Sequence, residues 1–197
     1  MTLIDRIHAA GSDDHTVFGG TFTGGYFMQQ EPECFAKLID ALTPGMPYEN
    51  YVAIGIAAGG AERFVCENLG VKRLVVIDDG LHHNHSVWQT VNKPALVAQG
   101  VEVFEFIGNS QIVAAQDFLE RLGFKYDLAS IDGNHFNEAP KADFYLLKPF
   151  LKHDSVVWFH DVNLEIYGVK RCFEDLAREF KVTLRTEGRM GIGVLRV

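Results

Sequence analysis

The chain has 197 residues, a length that fits one domain. It is 47% hydrophobic and 22% charged with a formal net charge of −8, which is globular composition with enough apolar mass for a large core. The acidic balance and the lack of a dense basic run argue against a nucleic-acid partner.

Cys34, Cys66 and Cys172 are widely spaced and form no CxxC pair. They read as reduced core thiols in a cytoplasmic protein, without a disulfide or a zinc site. The first residues lack the apolar core of a leader, and no apolar run reaches the roughly 18 residues of a membrane span. No membrane contact is therefore expected.

Residues 3–10 read as a short helix, and the Gly-, Ser-, Asp- and Thr-rich residues 11–25 as a loop. Phe18, Phe22, Tyr26 and Phe27 are interleaved with glycines there. They read either as an aromatic lid over a ligand or as anchors that pin an N-terminal arm to the core. Residues 31–42 form a helix, since Phe35, Leu38, Ile39 and Leu42 recur at helical spacing. Pro44, Gly45 and Pro47 end it. The expected organisation is a single domain, with residues 1–45 as arm and helix and residues 50–197 as a Rossmann-like core.

The central unit is residues 51–79, read as strand, glycine turn, helix, strand and acid. Its apolar runs suit strands buried on both faces of a parallel sheet. Gly55, Gly59 and Gly60 allow a sharp turn and a close ligand, and the following helix N-terminus offers free N–H groups. Asp78, ending the second strand, suits the hydroxyls of a ribose. A nucleoside-containing cofactor is the expectation. A dinucleotide fingerprint would put Gly where Ala57 stands. The spacing Gly55-x-x-x-Gly59 instead resembles the loop of class I S-adenosylmethionine (SAM) methyltransferases. That family usually has an acid two residues before the first Gly, where this chain has Ala53.

Beyond Asp79 come His82, His83 and His85 on a loop, a spacing that does not favour a metal and fits one His near cofactor or substrate. Residues 87–99 read as helix, with Pro94 as a possible true start. Residues 101–107 alternate and read as the third strand. Gly108-Asn109-Ser110-Gln111 follows, and Ser110 is either an N-cap for residues 112–122 or an adenine contact. The second reading rests on a resemblance to the Gly-x-Ser-Gln turn of catechol-type O-methyltransferases.

The most diagnostic stretch is YDLASIDGNH…DFYLLKPFLKHDSVVWFHD, residues 126–161. One strand ends at Asp132, a helix spans residues 138–147, and a second strand runs over residues 155–161. Asp78, Asp132 and Asp161 should gather at the carboxyl ends of parallel strands, where ligands bind. Two neighbouring carboxylates repel unless something positive lies between them, and a hard divalent cation such as Mg²⁺ fits. This layout, from about Gln30 onward, resembles metal-dependent small-molecule O-methyltransferases of the catechol and antibiotic or sugar types.

That resemblance implies Asp132 and Asp161 as metal-ligand acids, with His160 or Asn163 as the third ligand. Val162 stands where catechol-type enzymes carry Asn, and His160 would favour Zn²⁺ or Fe²⁺ more than Mg²⁺ does. His135 occupies the place of their catalytic lysine and would act as general base. Gly55 and Gly59 would lie near the methionine part of SAM, Asp78 on the ribose and Ser110 near adenine.

Residues 169–180 form an amphipathic helix, and residues 182–185 and 192–195 two short strands. The expected fold is α/β: a Rossmann-like class I methyltransferase sheet, seven-stranded, mostly parallel, ending in an antiparallel hairpin. The expected function is SAM-dependent O-methylation of a small-molecule acceptor, with SAM and a divalent metal as cofactors, in a possible homodimer. The alternatives are an NAD-dependent oxidoreductase, or a methyltransferase-fold binding module that has lost activity. Ala53, Val162 and Asn134 motivate the last.

Overall fold

The computed structural model describes residues 1–11, 26 and 28–197. Of the loop expected over residues 11–25 only Gly11 is described, and of the aromatics read as lid or anchors, Phe18, Phe22 and Phe27 lie outside the described residues. One seven-stranded sheet runs through the molecule in the order β3-β2-β1-β4-β5-β7-β6. Its strands are β1 (Asn50–Ile54), β2 (Arg73–Asp78), β3 (Glu102–Ile107), β4 (Tyr126–Ile131), β5 (Leu151–His160), β6 (Lys181–Arg185) and β7 (Ile192–Arg196). The pairs among β1 to β5 are parallel, and β7 enters antiparallel between β5 and β6. The expected sheet and terminal hairpin are both present.

The apolar runs are buried as strands of a covered parallel sheet should be. Every residue of β1 is buried. Tyr51 and Ala53 face one core, and Val52 and Ile54 face the other. The first core is covered by α1 (Leu3–Ala10), α2 (Pro32–Leu42) and α3 (Gly60–Leu69), through Ile7, Phe35, Leu38, Phe64 and Val65 among others. The second is covered by α6 (Val113–Leu122), α7 (Ala139–Leu147) and α8 (Gly168–Leu176), through Leu119, Phe144, Leu147, Phe173 and Leu176. All three cysteines are buried and free, as core residues.

Helix α3 is bounded by glycines on both sides, Gly59 at φ +72° and Gly70 at φ +75°, left-handed angles that favour Gly. Residues 85–98, where the sequence predicts a helix over 87–99 with Pro94 as its alternative start, are divided into three pieces. They form α4 (His85–Val87), a π-helical turn (Trp88–Asn92) and α5 (Lys93–Ala98), with Pro94 in the first turn of α5. Proline has no N–H to give the preceding turn, so the helix restarts at it. Ser110 is no N-cap either: α6 is preceded by Ile112 and carries no side-chain cap.

The hairpin is tied to the other end of the chain by one carboxylate. Glu31, the N-cap residue of α2, accepts hydrogen bonds from the backbone N–H groups of Arg189, Met190 and Gly191, at 2.8, 3.0 and 3.1 Å. Burial raises its pKa, but these donors outweigh burial and hold it below the ordinary value. Removing the acceptor strands the part-buried N–H groups of Met190 and Gly191. Glu31→Ala is expected to cost about 1.5–3 kcal/mol of unfolding free energy. Urea melts with an unchanged m-value would show it.

Candidate active site

The site lies where the strand order reverses, at the carboxyl ends of β1 and β4. The turn after β1 is left-handed at Gly55, φ +74°, and at Ala57, φ +47°. It runs against the start of the β4 loop: a Cβ on Gly55 would lie 2.3 Å from the Asp132 carbonyl oxygen. A Cβ on Gly59 would lie 2.2 Å from the Trp88 ring. Both expected loop glycines are therefore required by close approach.

Asp78, at the end of β2, is buried. Its Oδ2 accepts from Ile56 N–H at 2.9 Å, and its Oδ1 from Gly80 N–H at 2.7 Å. His85 Nδ1 lies 3.2 Å from Oδ1. Of the three loop histidines, His85 is thus the one placed on the expected ribose acid. Ser110 donates to Asp143 Oδ1 at 2.6 Å, so its proton faces α7.

Asp132, His135, His160 and Asp161 converge at the ends of β4 and β5. His135 Nε2 lies 3.1 Å from Asp132 Oδ1 and 3.4 Å from Asp161 Oδ2. His160 Nδ1 lies 3.4 Å from Asp132 Oδ1 and 3.6 Å from Asp161 Oδ1. Ligand atoms of Asp132, His135 and Asp161 all fall within 4.8 Å of one another, the one such grouping placed to hold a metal among the described residues. Asp161 sits at φ +63°, a left-handed angle unusual outside glycine, and its buried Oδ1 has no hydrogen-bond partner. Backbone strain beside an orphaned carboxylate oxygen fits a cation ligand.

The electrostatics follow from two acids facing two imidazoles. Burial works against charge on Asp132, but His160 and His135 hold it well below the carboxylate range. Burial lowers His160, yet Asp132 and Asp161 push it up to about 9. His135 is raised too, against burial, by its hydrogen bond to Asp132 and by both acids. Asp161 is raised, first by burial and also by Asp132. Protons on the imidazoles supply the positive charge that a metal would supply.

Asn163 stands apart from this group. Its Nδ2 donates to the Thr186 and Gly188 carbonyls at 2.9 and 2.8 Å, which fixes the hairpin turn. Sequence reasoning missed three contributors. Gln30 Nε2 donates to Asp132 Oδ2 at 3.2 Å. Tyr167 lies against His135, ring centroids 4.9 Å apart. Glu62, in the first turn of α3, is buried in a narrow cavity bordered by Gln30, residues 56–58 and Asp132. Only Glu62 left a signal, as a charged residue on the apolar face of α3 beside Phe64, Val65 and Leu69.

A family model described as "Methyltransferase domain" matches residues 52–162, more than half of the chain. The chain belongs to the methyltransferase-domain family. No curated protein matches it in sequence. Among solved structures it is similar to an O-methyltransferase from Bacillus cereus in complex with SAH, at 18% identity and TM-score 0.61 over 85% of this chain and 82% of that one. It is also similar to TomG from Streptomyces achromogenes, an O-methyltransferase involved in tomaymycin synthesis, in complex with SAM (21% identity, TM-score 0.60, 85% and 80%). A third is CalS11, a TDP-rhamnose 3'-O-methyltransferase of calicheamicin biosynthesis (14% identity, TM-score 0.60, 81% and 76%). These likenesses establish the class I methyltransferase fold. Family membership sets the oxidoreductase alternative aside.

The methyltransferase also carries a buried acid that costs it stability. Asp143 is fully buried on α7, and its Oδ2 has no partner. Burial pushes its pKa up to about 6, and the bonds from Ser110 and Gln111 only partly offset this. A folded value above the unfolded one gives stability that is present below the ordinary carboxylate pKa and lost as pH rises through about 6. Asp143→Asn is therefore expected to stabilise the protein at pH 8 by about 1–3 kcal/mol and to change little near pH 4. Urea melts at the two pH values would show the difference.

Proposed function

We propose that this methyltransferase uses SAM to methylate an oxygen of a small-molecule acceptor, and that a divalent cation at Asp132 and Asp161 orients that oxygen. The observation that carries the reading is the convergence of both acids with His135 and His160 beside the glycine turn, with Asp161 Oδ1 lacking a hydrogen-bond partner. The SAH- and SAM-bound O-methyltransferases among the structural relatives support the cofactor and the acceptor atom. No helix among the described residues is long and apolar enough to cross a membrane.

When bound, SAM supplies an electrophilic methyl group, and the cation lowers the pKa of the acceptor hydroxyl. The protein's own residues hold and align. Gly55 and Gly59 let the backbone approach the cofactor, and Asp78 keeps acceptor capacity for the ribose hydroxyls. Asp132 and Asp161 with His160 hold the cation. His160 lies deeper, its side chain 7% exposed, and His135 lies at the mouth at 26%, against Tyr167. That order of depth favours His160 as ligand and His135 as base. Once the carboxylates' charge is engaged by a cation, His135 loses the stabilisation of its proton, and Nε2 is free to take one from the acceptor. Mixed carboxylate and imidazole donors favour first-row ions over Mg²⁺. Aligning acceptor oxygen and methyl group should supply most of the acceleration, since proximity can be worth about 7–11 kcal/mol.

A second assignment of His135 is favoured by its own position within 4.8 Å of both acids' ligand atoms, as a third ligand. His135→Gln separates the two. A base leaves metal affinity intact, lowers kcat and removes the acidic limb of the pH profile, whereas a ligand takes metal affinity down with it. The core test is Asp132→Ala with Mn²⁺, Mg²⁺ and Zn²⁺ titrated calorimetrically and turnover followed on an acceptor panel. Metal binding should be lost and turnover should fall by about 100-fold or more. Unchanged turnover at limiting metal would rule the cation out. SAM binding without turnover or metal effect would instead support the inactive binding module.

A further inference from the structure

Glu62 is a carboxyl group placed where a folded protein rarely leaves one. It is 2% exposed and lines the cavity between the glycine turn and residues 28–30. No Lys, Arg or His among the described residues forms an ion pair with it; the neighbouring Arg63 is engaged with Glu67. Asp132 borders the same cavity, and its own charge is engaged by His135 and His160. A buried carboxyl without a cation gives up its charge unless a ligand completes it.

The rest of the cavity narrows the ligand's chemistry. Its volume is about 20 Å³, enough for one group the size of a water or an ammonium. The first turn of α3 borders it through Gly60 and Ala61. Those first N–H groups have no acceptor within the helix, and Gly59 at the N-cap has no side chain to offer. Such a terminus accepts a carboxylate. Glu62 therefore faces the place for a cation, next to a place for an anion, one helical turn from the glycine loop. This pairing is the negative of an α-amino acid zwitterion. Ala53 on β1 lies in the core that α3 covers, and it offers no charge of its own.

We propose that Glu62 binds the α-ammonium of the amino-acid end of SAM, with the α-carboxylate at the N-terminus of α3. The inference rests on the SAM reading above and deepens it. It assigns to α3 the anionic contact that β1, with Ala53, cannot make. It also fixes the cofactor's direction: amino-acid end under residues 28–30, ribose at Asp78, sulfonium toward Asp132. Burial, with Asp132 and Asp78 nearby, pushes Glu62 up to about 8, so the carboxyl is largely neutral until a cation arrives.

The test is calorimetric titration of the full chain with S-adenosylhomocysteine and with its analogue lacking the α-amino group. The wild type is expected to bind S-adenosylhomocysteine at least about tenfold more tightly than the analogue. Glu62→Gln should erase that preference by weakening S-adenosylhomocysteine alone. Unchanged binding of the analogue reports that the variant is folded and its site intact. Equal loss for both ligands, or no loss for either, overturns the role of Glu62 while leaving the SAM reading in place. If the wild type binds neither ligand, the SAM reading itself falls, and the assignment of Glu62 with it.

Discussion

The whole site depends on one backbone contact, between the turn after β1 and the turn after β4. Gly55 N–H donates to the Ile77 carbonyl at 2.9 Å, and Asp132 N–H donates to the Ile54 carbonyl at 2.8 Å. Gly55 then passes so close to Asp132 and Gly133 that no side chain fits at residue 55. Gly133 is less tightly placed from its own side: a Cβ there would meet the Ile54 Cγ2 methyl at 3.2 Å. The consequence is metric. Ile56, Ala57 and Ala58 of the glycine turn line one cavity with Asp132, so a ligand in it meets both. Cofactor loop and acid cluster are one unit, held by the β1–β4 register.

The acid cluster imposes the second constraint. Asp132 and Asp161 cannot both be ionised side by side without compensation, and the protein supplies two imidazoles where a cation could stand. Both histidines are held toward their protonated forms by the acids, which offsets the carboxylate charge without any ligand. A cation entering it competes with protons, and metal affinity must rise with pH until the histidines are neutral. This balance also explains how a buried ion cluster is tolerated in the folded chain. Gln30, Tyr167 and the Glu31 anchor that holds the hairpin near Gln30 surround it with groups that carry no further net positive charge.

Much of the fold was legible because its signals are local. The buried runs of β1 and β2, the glycines that bound α3, and the acids that end β2 and follow β4 each announce themselves within a few residues. Asp132, His135, His160 and Asp161 were legible as a group because parallel topology brings strand ends together whatever separates them in sequence. What was not legible depends on side-chain direction or on long-range partners. Ser110 could be read as a cap or an adenine contact, but its bond to Asp143 is made across the sequence to α7. Asn163 looked like a ligand candidate by proximity to Asp161, yet the chain turns there and its amide is drawn to the hairpin carbonyls. The π turn before Pro94 is a response to packing: Asn92, fully buried, donates to the Tyr26 and Ala58 carbonyls at 2.8 and 2.7 Å.

That last pair of bonds links the N-terminal segment to the cofactor loop. Asn92 holds Ala58 in the glycine turn and Tyr26 in the segment above it with one amide. Arg63 lies over the Tyr26 ring, 3.8 Å from its centroid, and reaches Asn92 Oδ1 at 3.3 Å. A Cβ on Gly60 would strike the Tyr26 carbonyl oxygen at 2.4 Å, so the segment rests directly on the first turn of α3. The cavity at Glu62 therefore has a roof positioned by residues on the π turn and α3 and, at Gln30, by the hydrogen bond to Asp132. Anything that enters at Glu62 must pass between residues 28–30 and the glycine turn. The π turn is what places Asn92 under both, and a regular helix through residues 85–98 would rotate that amide away from one of its two carbonyls.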